Sequence, residues 1–273
     1  MKKKILLVSG CSNTDPNYTS LQHPDMNCDW PKWPELLAKS LDMECINLAY
    51  RGSGNEFIYS TLIDKLQTIK PSDIGLCIAA WSTANRRDYE SKGRWRSHIY
   101  SYGERNFYKH KEYMRDFIDR SIRYFYSFQN VCENLKIPYK QFAMMPLFEN
   151  YGWQETIRRR TENFPDDPVE QIPIINKKQY LTDDEKAWLN EYEVECTDHI
   201  KKSPYYNMIN ENFIGWPTGP YQSIRFNRKV TAVGNGYNMT HKVLLKDCII
   251  SELDSHPNAK GHIQIAKHLH ELL

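Results

Sequence analysis

Two apolar runs constrain this chain more than any other feature: Ile5–Ser9 and Ile74–Trp81. Neither alternates apolar with charged residues, so neither reads as a strand with one face in water. A short continuous apolar run is the signature of a strand buried on both faces, as in a parallel sheet. The segments between and after them have a different period. Trp33–Leu41 places Leu36, Leu37 and Leu41 on one helical stripe, with Pro34 marking its start. Glu56–Ile69 does the same with Phe57, Ile58, Leu62, Ile63, Leu66 and Ile69, and Pro71 stops it. Cys45–Leu48 supplies another short strand between these helices.

The alternation continues. Residues 112–136 carry Tyr113, Phe117, Ile118, Ile122, Phe125, Val131, Cys132 and Leu135 at helical spacing. Tyr139–Met145 is a fourth strand ended by Pro146, and Asn212–Trp216 a fifth ended by Pro217. Residues 183–202 form a charged helix introduced by Thr182 and Glu185, a capping-box pattern. Asn258–Leu273 closes the chain with Ile265, Leu269 and Leu272 on one face. Strands that alternate with helices imply an α/β fold, here a three-layer α/β/α arrangement around a short parallel sheet. At 273 residues, one domain spanning 1–273 is the expectation. The stretches 86–111, 147–180 and 217–250 break the pattern and read as insertions that shape access to a site.

In such sheets, ligands bind beyond the C-terminal ends of the strands. Ser12, Gly52 and Ser82 follow the first three strands and fall on that edge together. The far end of the chain adds Asp254-Ser255-His256-Pro257-Asn258. An Asp two residues before a His can orient the imidazole, and a Pro before a helix fixes the pair in place. A His so held can serve as a general base, and Ser12 is the nucleophile on offer. Each piece alone also suits a plainer use: a turn at Ser12, a tight turn at Gly52-Ser53-Gly54, a helix start at Asp254–Pro257.

These segments resemble the conserved blocks of the SGNH/GDSL hydrolases. Gly10-Cys11-Ser12-Asn13-Thr14 is similar to their first block, usually Gly-Asp-Ser-x-Thr. Asn47-Leu48-Ala49-Tyr50-Arg51-Gly52-Ser53-Gly54-Asn55 resembles their second, and Asp254-Ser255-His256-Pro257-Asn258 their fifth. The blocks occur in the family's order and cover residues 1–85 and 250–273, with wording closest to bacterial and bacteriophage members. The resemblance implies a flavodoxin-like sheet of the SGNH hydrolase type. It also implies a serine esterase with Ser12 as nucleophile, His256 as base and Asp254 as its orienting acid. The oxyanion would be held by the backbone N–H groups of Ser12 and Gly52. The family's third block, Gly-x-Asn-Asp, has no simple match. Here the strand ends Ala80-Trp81-Ser82-Thr83-Ala84-Asn85-Arg86, so Asn85 is the expected third donor, with Ser82 or Arg86 as substitutes. Asn55, Ser82 and Arg86 are the expected substrate-binding residues. Two further departures are Cys11 in place of the usual Asp and a spacing of Asp-x-His instead of Asp-x-x-His.

The implied substrate is a small acyl ester, such as an O-acetyl group on a carbohydrate, and the chemistry needs no metal or organic cofactor. Two alternatives share the same residues: an O-acyltransferase, and a non-catalytic protein of this fold that binds a glycan or nucleic acid. The second draws on residues 86–115, where Arg86, Arg87, Lys92, Arg94 and Arg96 are interleaved with aromatics such as Trp95, Tyr100 and Tyr102. Total charge gives no support for a nucleic-acid partner, because 36 Lys and Arg against 34 Asp and Glu leave +2. His262, His268 and His270 on the last helix lack evident carboxylate or thiolate partners and read as packing or surface residues. The seven cysteines include no Cys-x-x-Cys pair and suit a reducing compartment. Lys2-Lys3-Lys4 before Ile5-Leu6-Leu7-Val8 resembles a secretion signal, but its apolar run falls short of the roughly 7–15 residues required. A buried first strand and a cytoplasmic protein without membrane association are therefore expected; the sequence does not indicate an oligomeric state.

Overall fold

In the computed structural model of the protein, β1 (Ile5–Ser9) lies inside a sheet, with all five residues buried. Described are residues 2–99, 111–147, 183–216, 221–223, 228–230, 239–244 and 246–273. β1 pairs in parallel with β2 (Glu44–Asn47) on one side and β3 (Ile74–Trp81) on the other. An antiparallel hairpin follows, β4 (Arg86–Ser91) and β5 (Arg94–Ile99), outside this sheet. β6 (Tyr139–Ala143) and β7 (Phe213–Ile214) complete the sheet in the order β2-β1-β3-β6-β7, every pair parallel. Counting only its own strands, the order is 2-1-3-4-5, that of a doubly wound α/β sheet.

The two layers of helix follow from the period of the strands. Ile5, Leu7, Cys77, Ala79 and Trp81 point to one face, where they pack with Phe57, Ile58, Leu62, Phe117, Ile118, Ile122 and Phe125. These come from α2 (Asn55–Leu66) and α3 (Lys111–Asn134). Leu6, Val8, Ile78, Ala80 and Phe142 point the other way, onto Trp33 and Leu37 of α1 (Trp33–Ser40) and Ile265, Ala266 and Leu269. The last three belong to the closing helix. A one-residue slip of β1 would exchange these faces, so two-sided burial fixes the register. Each fully buried Leu or Ile contributes about 1.5–3 kcal/mol to holding it.

α4 (Asp183–Lys201) packs on α3 through Cys196 and Ile200, among others. α5 (Ala259–Leu272) is the closing helix. Its N-cap is Asn258, whose side chain accepts the Gly261 N–H at 3.0 Å. Pro257 therefore sits before the cap and not at the first helical position. The fifth strand is shorter than the expected 212–216, and the fourth ends at Ala143, where the N–H groups of Met144 and Met145 both turn to the Trp81 carbonyl.

The stretch after residue 85 holds more order than its sequence suggests. Lys92 and Gly93 both have positive φ, the turn that matches strand twist in a two-residue hairpin. The hairpin docks on α2. Asp88 accepts the Gly54 N–H at 2.9 Å and the Phe57 N–H at 2.8 Å, and so caps that helix from a distant strand. Trp95 meets Phe57 edge-on at 5.6 Å between ring centroids, which commits one of the interleaved aromatics to packing. The remaining aromatics and bases of 100–110, residues 148–180 of the second expected insertion, Thr182 and parts of 217–250 lie outside the described residues. No helix among the described residues is long and apolar enough to cross a membrane.

Candidate active site

The turn after β1 is held by the Cys11 carbonyl, which accepts from the Thr14 N–H at 2.8 Å and the Asp15 N–H at 3.0 Å. Cys11 itself is fully buried in the apolar layer with Trp33 and Met144. That packing accounts for a thiol where the resemblance leads one to expect a carboxylate. Ser12 follows it at the sheet edge, 8% exposed.

The chain after β2 is tied to this turn at three points. Asn47 Nδ2 donates to the Thr14 carbonyl at 2.7 Å, the Tyr50 N–H to the Gly10 carbonyl at 3.2 Å, and the Arg51 N–H to Asp15 Oδ2 at 2.8 Å. Gly52 comes next, with φ of +79° and nothing within 4 Å of where a Cβ would lie. That conformation favours glycine, and the empty space beside it is open. Two residues on, Gly54 is needed for a different reason: a Cβ there would lie 2.7 Å from Arg86 Cβ and 2.8 Å from Asp88 Oδ2. The N–H groups of Ser12 and Gly52 make no hydrogen bond among the described residues.

His256 approaches Ser12 from the other end of the chain. A small antiparallel turn holds it: the Ile250 N–H donates to the His256 carbonyl at 2.9 Å, and the Ser251 N–H to that of Asp254 at 3.0 Å. Asp254 Oδ1 accepts from the His256 backbone N–H at 3.1 Å and from its Nδ1–H at 2.6 Å. This is an Asx-type turn, and it explains why two residues of separation suffice for an Asp to grip its own downstream imidazole. With Nδ1 carrying the proton, Nε2 is an acceptor, and the Ser12 hydroxyl donates to it at 2.7 Å.

A loop just after Ser12 closes over the pair. Tyr18 donates its hydroxyl to Asp254 Oδ2 at 2.9 Å, and Ser20 donates to the same oxygen at 2.5 Å. The Tyr18 ring also stacks on His256, with centroids 4.2 Å apart and planes at 29°. Asp254 is 4% exposed. Burial alone would push its carboxyl upward, but the hydrogen bond and charge of His256, with Ser20's hydroxyl, outweigh it and hold the carboxyl well below the usual range. Tyr18 moves the other way: burial, then the adjacent Asp254 carboxylate, raise its phenol and keep it protonated.

Ser12, Asp254 and His256 thus stand in one hydrogen-bonded chain across a sequence separation of 244 residues. Asn55, Ser82, Asn85 and Arg86 share no hydrogen bond with them among the described residues. Asn55 is 3% exposed, and its amide is fully committed. It donates to the Ser82 carbonyl and Ser121 Oγ and accepts the Ser82 N–H at 2.8 Å. Ser82 is 1% exposed, its hydroxyl against the Met145 sulfur. These hydrogen bonds join α2 to the loop after β3. The Arg86 guanidinium donates to the Ser53 carbonyl at 3.0 Å and packs on Met145. Asn85 is buried, with Thr83 donating to its Oδ1, and its NH2 makes no hydrogen bond among the described residues.

No motif or periodicity marks Tyr18 and Ser20 in the sequence. They come from an irregular loop, and only contact across more than 230 residues reveals them. His262 is buried and accepts the Trp33 N–H at Nδ1, 3.2 Å away; burial pushes its imidazole down to about 3, so it stays neutral. No group of three or more His, Cys, Asp or Glu among the described residues is placed to hold a metal ion.

No protein-family model matches the chain, and no curated protein matches it. Among solved structures it aligns with a protein from Desulfitobacterium hafniense DCB-2 assigned to the G-D-S-L lipolytic family. The alignment has 10% identity and a TM-score of 0.43 and covers 100% of both chains.

Proposed function

We propose that this chain is a serine esterase of the SGNH/GDSL type that hydrolyses a small acyl ester. The observation that carries the reading is the 2.7 Å contact of Ser12 Oγ with His256 Nε2, whose Nδ1–H is held by an ionised, buried Asp254. Ser12 Oγ attacks the acyl carbonyl as Nε2 takes its proton. Asp254 stabilises the imidazolium and stays a carboxylate. The negative oxygen of the tetrahedral intermediate meets the uncommitted N–H groups of Ser12 and Gly52, with the Asn85 amide as a third donor. As the intermediate collapses, the ester C–O bond breaks and Nε2 protonates the departing alkoxide. A water then attacks the Ser12 acyl ester by the same steps in reverse order, releasing the carboxylic acid and restoring the hydroxyl. An O-acetylated carbohydrate is the substrate class that the motif resemblance favours.

The test is direct. Purified protein should hydrolyse short-chain aryl esters from acetyl to butyryl, and Ser12→Ala should lower kcat by about 10³–10⁶-fold with the fold intact. Equal turnover by wild type and Ser12→Ala would remove the proposal.

A further inference from the structure

The Ser12, His256 and Asp254 chain accounts for one oxygen of the Asp254 carboxylate and one edge of the imidazole. The other oxygen and one ring face are occupied by the loop after Ser12. Asp254 Oδ1 takes both hydrogen bonds from His256, and Oδ2 takes one each from Tyr18 and Ser20. Four donors around one carboxylate leave it no freedom to rotate. The Tyr18 ring lies over the imidazole, and its oxygen is also 2.8 Å from Nδ1, within reach of the same N–H. The loop is itself anchored. Ser20 Oγ accepts the His23 N–H at 3.1 Å, and His23 Nε2 lies 2.7 Å from Ser251 Oγ, at the base of the turn that carries Asp254.

We infer that Tyr18 is a positioning residue for the reaction: its ring shelves His256 while its hydroxyl, with Ser20, clamps Asp254, so that Nε2 faces Ser12. This rests on the esterase reading above. The side chain acts twice, and the two actions have opposite electrostatic signs. The ring face is attractive to the imidazolium formed when Ser12 gives up its proton. The hydroxyl proton, by bonding to Asp254, draws on carboxylate charge that would otherwise favour the same imidazolium, and this outweighs the hydroxyl oxygen's contact with Nδ1–H because that proton is held first by Asp254 Oδ1 at 2.6 Å. A residue that merely filled space would do neither. Among the described residues, the other charged or titratable groups around this cluster include Cys28 and Arg51 around Tyr18, His23 beside Ser20 and Ser251, and His262, which senses His256. All four are retained in the variants below.

The experiment compares kcat/KM against pH for wild type, Ser12→Ala, Tyr18→Phe, Tyr18→Leu and Ser20→Ala with a short-chain aryl ester, each variant's fold being checked by thermal unfolding. Tyr18→Phe keeps the shelf and removes the clamp. It should lose about ten- to hundredfold in kcat, the worth of one hydrogen bond to a charged group, and move the acidic limb of the profile to higher pH. Tyr18→Leu removes both, should lose more, and should place that limb below its position in Tyr18→Phe. Ser20→Ala tests the clamp alone and should shift the limb in the same direction as Tyr18→Phe. If the folded Tyr18 and Ser20 variants keep wild-type rates and an unmoved profile while Ser12→Ala is inactive, the positioning role is wrong and the esterase reading stands. If Ser12→Ala is as active as wild type, the esterase reading fails first.

Discussion

Gly52→Ala separates a turn from an oxyanion donor. At φ of +79°, the added Cβ strains the backbone by about 1–2 kcal/mol. It meets no atom within 4 Å, so no steric overlap adds to that figure. A protein with even ~5 kcal/mol of stability would still be more than about 99% folded after such a loss. If Gly52 only turned the chain, hydrolysis would therefore be unchanged. If its N–H holds the oxyanion, the Cβ intrudes where the tetrahedral intermediate sits and the N–H shifts with the relaxing backbone. Loss of one such donor costs about 10²–10³ in kcat. Urea unfolding gives the stability, and kcat with a short-chain aryl ester gives the other quantity. A fall in stability with kcat within twofold of wild type would refute the role assigned to Gly52.

Two further expectations follow from the same contacts. Asp88→Ala strips the acceptor from two backbone N–H groups at the start of α2, Gly54 and Phe57, and should destabilise the protein by about 2–4 kcal/mol in urea unfolding; a loss under about 0.5 kcal/mol would contradict the capping role. The second concerns acid. Asp254 has its carboxyl lowered in the folded state, so its contribution is present above the unfolded carboxyl's ordinary value near ~3.9 and is lost as pH falls below it. The stability gap between wild type and Asp254→Asn should therefore narrow from pH 5 to pH 2; a constant gap would argue against the network around Asp254.

Much of the sheet was legible because its strands are buried on both faces. Ile5–Ser9 and Ile74–Trp81 begin and end where their apolar runs do. β7 is shorter than its composition suggests, since Phe213 alone is deeply buried there. The hairpin at 86–99 is hidden in the sequence because its polar residues lack a strand's apolar period, and its docking depends on Asp88 and Gly54 meeting across 34 residues. Ser12, Asp254 and His256, which hydrogen bonds link into one chain, each lie in a short turn that the local sequence marks. The ties that Asn55 and Ser82 make within the fold leave no mark in the sequence, because they depend on α2, α3 and the loop after β3 meeting in space. Tyr18 and Ser20 leave no periodic or motif trace at all.

The proposed function stands or falls with Ser12 as a nucleophile activated by His256. Treatment with a fluorophosphonate followed by peptide mass mapping tests it most directly, because the reagent is captured by an activated serine. A single adduct on Ser12 is expected in the wild-type protein, and its loss in His256→Ala. An unmodified Ser12 in folded wild-type protein, or an adduct confined to another serine, would contradict it.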